Sequence, residues 1–300
     1  MAVVLLPKKR DPPSMKISIG FNKRLLIRAL CLVSITGAAL LAMPTRAGAQ
    51  LYVSQVQAGI VSEYNASTGA LIKADFITGL STPNALLLSG SDLLVANEAG
   101  SVGKYNASTG AAINQSFITG TNFEPIGLAL SGTDLFVANV SNDTVGKYNA
   151  STGAAIKVPF IKKLPATSSI GLGVFNTILF VAEEGQSKLD KYAISTGAVK
   201  VALTLKNPNP YGVAVLGSDL FVTSLSAGTI SEYNVKTGAV IKASFITGLN
   251  FPTQIAILND TLYVVNYGGG TVGEYNAKTG AAINASLISG LTAPWGVAVQ

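Results

Sequence analysis

The segment Tyr64-Asn65-Ala66-Ser67-Thr68-Gly69-Ala70 recurs at Tyr105 to Ala111 and at Tyr148 to Ala154, and weaker copies begin at Tyr192, Tyr233 and Tyr275. The six tyrosines stand 41, 43, 44, 41 and 42 residues apart. A repeat of this length suits one four-stranded propeller blade and is too long for ankyrin, tetratricopeptide or leucine-rich units. Helical periodicity, which those alternatives need, is almost absent.

Within one period four short β-type runs follow one another. In the copy near Pro125 they are Gly127 to Leu130, Leu135 to Ala138, Thr144 to Tyr148 and Ala154 to Phe160. We label such runs A to D. Turns rich in Gly, Asn, Asp and Ser separate them. The small residues of run A suit the crowded propeller axis, where neighbouring blades approach closely. The tyrosine segment spans the C–D hairpin, where Asn149 can fold its side chain onto the backbone and Gly153 can supply a positive φ. Its recurrence therefore reads as a turn requirement, as do the Asn-x-Ser/Thr matches at Asn65, Asn106 and Asn149.

The two ends of the repeat region are complementary. The chain finishes on Trp295-Gly296-Val297-Ala298-Val299, an A run with no B, C or D after it. The repeat region opens on Leu51-Tyr52-Val53-Ser54, a B run with no A before it. Pairing them makes six of each element, so the sequence predicts an all-β, six-bladed propeller closed by the C-terminal A strand on the N-terminal B strand. Closure of this kind leaves no open ring edge to aggregate.

Charge is divided unevenly along the 300 residues. The first 49 carry eight Lys plus Arg against one acid, Asp11, whereas Gln50 to Gln300 holds 13 Lys, no Arg and 14 Asp plus Glu. The net +6 therefore belongs to the leader. A near-neutral body without Arg lacks the basic face that phosphate backbones require, so no nucleic acid partner is expected. The leader itself runs from a basic patch, Lys23 to Arg28, through apolar Ala29 to Met43, to Ala47-Gly48-Ala49. That succession predicts a secretory signal cleaved before Gln50, and a secreted or periplasmic product with no membrane span. Translation starting at Met15 would leave the same signal.

The only cysteine, Cys31, lies in the leader, and the chain has no His. The mature body therefore has no disulfide, thiolate nucleophile or imidazole ligand, and no cofactor or metal is expected. At 251 residues it is large enough to stand on its core as a monomer.

The motifs Leu262-Tyr263-Val264-Val265-Asn266, Gly270-Thr271-Val272, Tyr275 to Gly280 and Pro294 to Val299 resemble the YVTN and NHL-type families of bacterial propeller repeats. The likeness covers the whole mature chain. It implies a secreted or cell-surface binding protein, an envelope protein, or one of a few enzymes such as streptogramin lyases and gluconolactonases; fold likeness does not choose among them.

Two rings of positions are candidates for a site. Gln55, Asn97, Asn139, Glu183, Ser224 and Asn266 follow run B in the six copies. They suit either tethering of loop backbone or contact with a polar ligand or hard cation. Asn84, Ile126, Ile170, Tyr211, Thr253 and Trp295 precede run A, where the copies diverge although the flanking Pro mostly stays. Phe123, Phe251 and Tyr267 fall in the same or neighbouring loops. Aromatics beside amides hold sugars and peptides; packing between blades is the competing use. The expected ligand site comprises Trp295, Tyr211, Asn84, Asn97, Asn139, Glu183 and Asn266 at one channel mouth, in a non-catalytic binding or scaffold propeller for a glycan, peptide or envelope protein. The alternative is a cation-dependent hydrolase or lyase of small cyclic substrates. A lyase of the streptogramin type uses a His that this chain lacks. A lactonase-like site would draw on Glu183, with Glu98, Glu124 and Glu184 as helpers.

Overall fold

The computed structural model describes residues 48–120, 122–164 and 170–300, with Ile170 described by its backbone alone. The expected leader lies outside the described residues except for Gly48 and Ala49.

Among the described residues, twenty-four strands form six four-stranded antiparallel sheets. Blade I holds β1 (Gln50–Gln55), β2 (Ile60–Asn65) and β3 (Leu71–Ile77). Blade II holds β4 (Pro83–Ser89), β5 (Asp92–Asn97), β6 (Ser101–Asn106) and β7 (Ala112–Thr119). Blade III holds β8 (Pro125–Ser131), β9 (Asp134–Asn139), β10 (Thr144–Asn149) and β11 (Ala155–Ile161). Blade IV holds β12 (Ile170–Phe175), β13 (Ile178–Glu183), β14 (Lys188–Ala193) and β15 (Val199–Thr204). Blade V holds β16 (Pro210–Leu216), β17 (Asp219–Ser224), β18 (Thr229–Asn234) and β19 (Val240–Ile246). Blade VI holds β20 (Pro252–Leu258), β21 (Thr261–Asn266), β22 (Thr271–Asn276) and β23 (Ala282–Ile288), and β24 (Pro294–Val299) returns to blade I. No helix among the described residues is long and apolar enough to cross a membrane.

Ring closure follows the expected route. β24 pairs antiparallel with β1, matching Leu51 with Val299, Tyr52 with Ala298 and Val53 with Val297, with a register shift between Val53 and Gln55. The Gln50 and Gln300 backbones exchange hydrogen bonds at 2.9 and 3.0 Å.

Burial explains the composition of each strand type. B strands are sandwiched between blades and carry a buried, mostly apolar central run, as in Leu135 to Ala138. Outermost D strands keep only their last residues inside, as in Ala155–Ile161, where Phe160 and Ile161 are buried and Ala155 to Lys157 exposed. The core is consequently a set of layers between adjacent blades. One layer combines Phe136, Phe160 and Ile161 of blade III with Leu179, Val181 and Tyr192 of blade IV. Phe136 and Phe160 stand 5.3 Å apart within it.

The repeated tyrosine does more than mark a turn. Tyr148 packs among Phe117 and Ile118 of blade II, and Tyr192 among residues of blade III, so each inserts into the preceding blade. The hairpin after it has the expected turn chemistry: Asn149 Oδ1 accepts the Ser151 and Thr152 amides at 2.9 Å, and Gly153 has φ 74°. A β-carbon on Gly153 would also lie 2.3 Å from the Phe117 carbonyl oxygen of blade II. The motif therefore recurs because turn and blade contact constrain it together.

Candidate functional site

The six A strands touch one another around the axis. One aligned column of these strands, third in five of them and second in β12, reads Ala85, Gly127, Gly171, Gly212, Gln254 and Gly296, five small residues and one amide. Gln254 Nε2 donates to the Leu86 carbonyl of blade II at 3.0 Å, and its Oε1 accepts the Leu86 amide at 3.3 Å and the Val297 amide at 3.2 Å. An amide in the place of a small residue thus ties blade VI to blades I and II. A residual axial cavity of about 20 Å³ borders it, lined by Ala85, Gly127, Gly171, Tyr211 and Gly212, room for about one water molecule.

Above this lies an aromatic pair. The Trp295 indole N–H donates to the Tyr211 hydroxyl at 2.6 Å, and that hydroxyl donates to the Ile126 carbonyl at 3.3 Å. The two rings meet edge to face at 5.4 Å and 82°. Blades I, V and III are joined across the axis by this chain of bonds. Tyr211 is 2% exposed. Burial raises its pKa above the usual tyrosine value, opposed by the Trp295 hydrogen bond and aided by the carboxylates of Glu98 and Glu184.

Trp295 also forms the floor of an open cleft of about 210 Å³ lined by Glu184, Asn209, Leu225, Ser226, Phe251, Thr253, Tyr267 and itself. Tyr267 meets Trp295 at 5.3 Å and 78°, so the two rings form a near-right-angled corner. Phe251 is 54% and Tyr267 38% exposed. Phe251 precedes Pro252 with φ 48°, the left-handed region that Thr82, Asn209 and Ala293 occupy before Pro in blades II, V and I. For a bulky residue that conformation is uncommon and strained.

Of the expected site residues, the structure places only Trp295 on this cleft, with Tyr211 directly behind it. Asn84 is buried and donates to Glu98 Oε2 at 2.9 Å. In four blades the ring ending the B strands, through Gln55, Asn97, Asn139 and Ser224, ties down the loop before the A strand. Asn97 Oδ1 accepts the Ser81 amide at 2.8 Å. Asn139 accepts from Glu124 N at 2.8 Å and donates to Asn122 O at 2.9 Å, and Gln55 accepts from Thr292 N at 2.9 Å. Asn266 donates to Thr271 Oγ1 at 3.3 Å while its own Oδ1 is buried without a partner.

Glu183 departs from the ring. The residue is 1% exposed, and neither carboxylate oxygen has a hydrogen-bond partner. Desolvation, with the negative charges of Asp190 and Asp143 outweighing Lys188, pushes its pKa up to about 7. Asp190 stands where the other blades carry Ser62, Gly103, Gly146, Ser231 and Gly273. Lys188 pairs with it at 3.2 Å. Among the described residues, no group of three or more acidic, His or Cys side chains is placed to hold a metal ion.

Sequence reasoning missed Asn209, Leu225 and Ser226 in the cleft and Gln254 on the axis. Alignment of the copies carries a signal for two of them: Asn209 shares the residue-before-Pro position with Phe251, and Gln254 interrupts a column of Gly and Ala.

No family model matches the chain, and no curated protein matches it. Solved structures match its fold. A chain of a nidogen/laminin complex superposes with a TM-score of 0.71 at 12% identity, covering 84% of this chain and 98% of that one. A protein of unknown function from Bacteroides caccae superposes with a TM-score of 0.65 at 15% identity, with the same coverage of 84% and 98%. At these identities the likeness is one of propeller fold.

Proposed function

We propose that this chain is an exported binding or scaffold propeller of the YVTN/NHL-repeat kind that recognises a glycan, peptide or cell-envelope partner at the channel mouth bearing Trp295. The observation that carries this reading is the cleft itself: exposed aromatic faces gathered on a rigid ring that is closed beneath them. Loops on a rigid frame are where binding residues concentrate, and exposed aromatics beside polar groups suit recognition. Among the described residues Glu184 is the single carboxylate lining the cleft, whereas acid–base catalysis works through positioned proton donors and acceptors around a reacting bond. Binding is therefore favoured over hydrolysis or elimination. Export rests on the basic, apolar and Ala-Gly-Ala succession of the leader.

The test is an unbiased glycan and peptide binding screen on the purified protein, followed by Trp295→Ala. Loss of about 1–3 kcal/mol of affinity is the range for a buried aromatic anchor. Normal affinity in a folded Trp295→Ala protein would remove the site from this mouth.

A further inference from the structure

We propose that the corner formed by Phe251, Tyr267 and Trp295, together with Glu184, is a binding site for an alkylammonium head group. The proposal rests on the reading of this mouth as the ligand site and names the chemistry that it recognises.

The cleft's hydrogen-bonding capacity is already largely committed within the protein. Asn209 Oδ1 accepts the Gly185 amide at 2.9 Å and its Nδ2 donates to Ser226 Oγ at 3.0 Å. Thr253 Oγ1 donates to the Trp295 carbonyl at 2.8 Å. A sugar reads out through such amides and hydroxyls, so these leave it little to bind. The walls instead offer the π faces of aromatic rings, which attract cations through their quadrupoles.

Charge points the same way. Among the described residues Glu184 lines the cleft and no Lys does; the chain has no His, and no Arg after residue 49. The Glu98 and Glu184 carboxylates both bear on the Tyr211 hydroxyl behind Trp295, so negative potential converges on the cleft floor. At about 210 Å³ the cleft falls below the ~300–1,000 Å³ of pockets for drug-sized ligands. It accommodates a compact head group more readily than an oligosaccharide.

Phe251 supplies an independent sign. Its aromatic ring stands half in solvent at a strained backbone position that Ala293 fills in blade I with φ 49°. Packing does not require a large ring there, whereas a third wall for a cation does.

Trp295 is the only tryptophan of the chain, so its emission reports on the site. Titration with choline is expected to change that emission saturably. The uncharged isostere 3,3-dimethylbutan-1-ol is expected to bind at least about tenfold more weakly, the scale of a desolvated cation–π contact. Glu184→Gln and Phe251→Ala should each weaken choline severalfold, and Glu184→Gln should leave the neutral isostere unchanged. Because Ala already occupies the Phe251 backbone conformation in blade I, Phe251→Ala is expected to fold. Nα-acetyl-lysinamide, run in parallel, distinguishes a peptide lysine from a small free amine; saturable binding of either cation supports the site. Equal affinity for choline and its neutral isostere, or no saturable response to either cation, overturns the proposal. If the cations fail while a glycan or neutral peptide shifts the same emission, the mouth remains the ligand site and only the ligand class is wrong. If a ligand binds and the emission is unmoved, both readings fall.

Discussion

Trp295 of blade I and Tyr211 of blade V share a 2.6 Å hydrogen bond across the propeller axis, and Tyr211 passes it on to the Ile126 carbonyl of blade III. Three alternate blades are thereby fastened at one mouth by two side chains. Replacing Tyr211 by Phe keeps the ring packing and removes the hydroxyl. It leaves the Ile126 carbonyl and the indole N–H without this partner. The expected loss is about 1–3 kcal/mol, the cost of buried groups left unsatisfied, read as a lower midpoint in denaturant with a shift in Trp295 emission. An unchanged midpoint would mean that the bond contributes nothing to ring stability.

Glu183 should make stability depend on pH. Its folded pKa, about 7, lies above the ordinary carboxylate value of 4.5. Well below pH 4.5 the carboxyl is protonated in both folded and unfolded chains, and burial carries no charge penalty through this group. As pH rises from 4.5 through 7 the unfolded chain ionises first, and stability is lost across that window. Glu183→Gln, the amide that Gln55 supplies in blade I, should abolish this component and stabilise the protein by about 2–3 kcal/mol at pH 8, with little effect at pH 4. Thermal or denaturant unfolding of both proteins across that range checks it; parallel pH profiles would refute it.

Removing residues 294–300 should open the ring. The deletion takes away β24, buried Val297 and Ala298, and the ladder partner of β1. It exposes an edge that invites self-association. The truncated chain is expected to melt well below the full-length protein and to aggregate in size-exclusion chromatography. Equal melting temperatures would show that ring closure contributes little.

Gly153 and Gly132 separate two costs of adding a methyl group. Both have positive φ, 74° and 59°, but a β-carbon at Gly132 meets no atom within 4 Å while one at Gly153 lies 2.3 Å from the Phe117 carbonyl. Gly132→Ala should cost about 1 kcal/mol for backbone strain alone. Gly153→Ala should cost about 1–3 kcal/mol more, because the adjacent blade must shift. Equal losses in chemical denaturation would mean that the blades are not in firm contact there.

Blade number, strand order and the closing pair were legible in the chain because each depends on local patterning repeated six times. A 41- to 44-residue period, four apolar runs per period and complementary ends admit one tiling, and the turns name themselves through Asn149 and Gly153. The role of Tyr148 as a wedge in the preceding blade was not legible, since it depends on which neighbour lies across the interface. The site divided along the same line. Trp295, Phe251 and Tyr267 could be singled out as aromatics in divergent loops. That Asn84, Asn97 and Asn139 are committed to Glu98 and to loops follows from contacts between the strands of one blade and the loop leading into it, and that Tyr211 lies beneath Trp295 follows from a contact between separate blades. A sequence of near-identical repeats determines the ring by symmetry. Departures from that symmetry, such as Gln254 on the axis, Glu183 without a partner and Phe251 in a strained conformation, acquire their meaning only from the unlike residues that the closed ring brings against them.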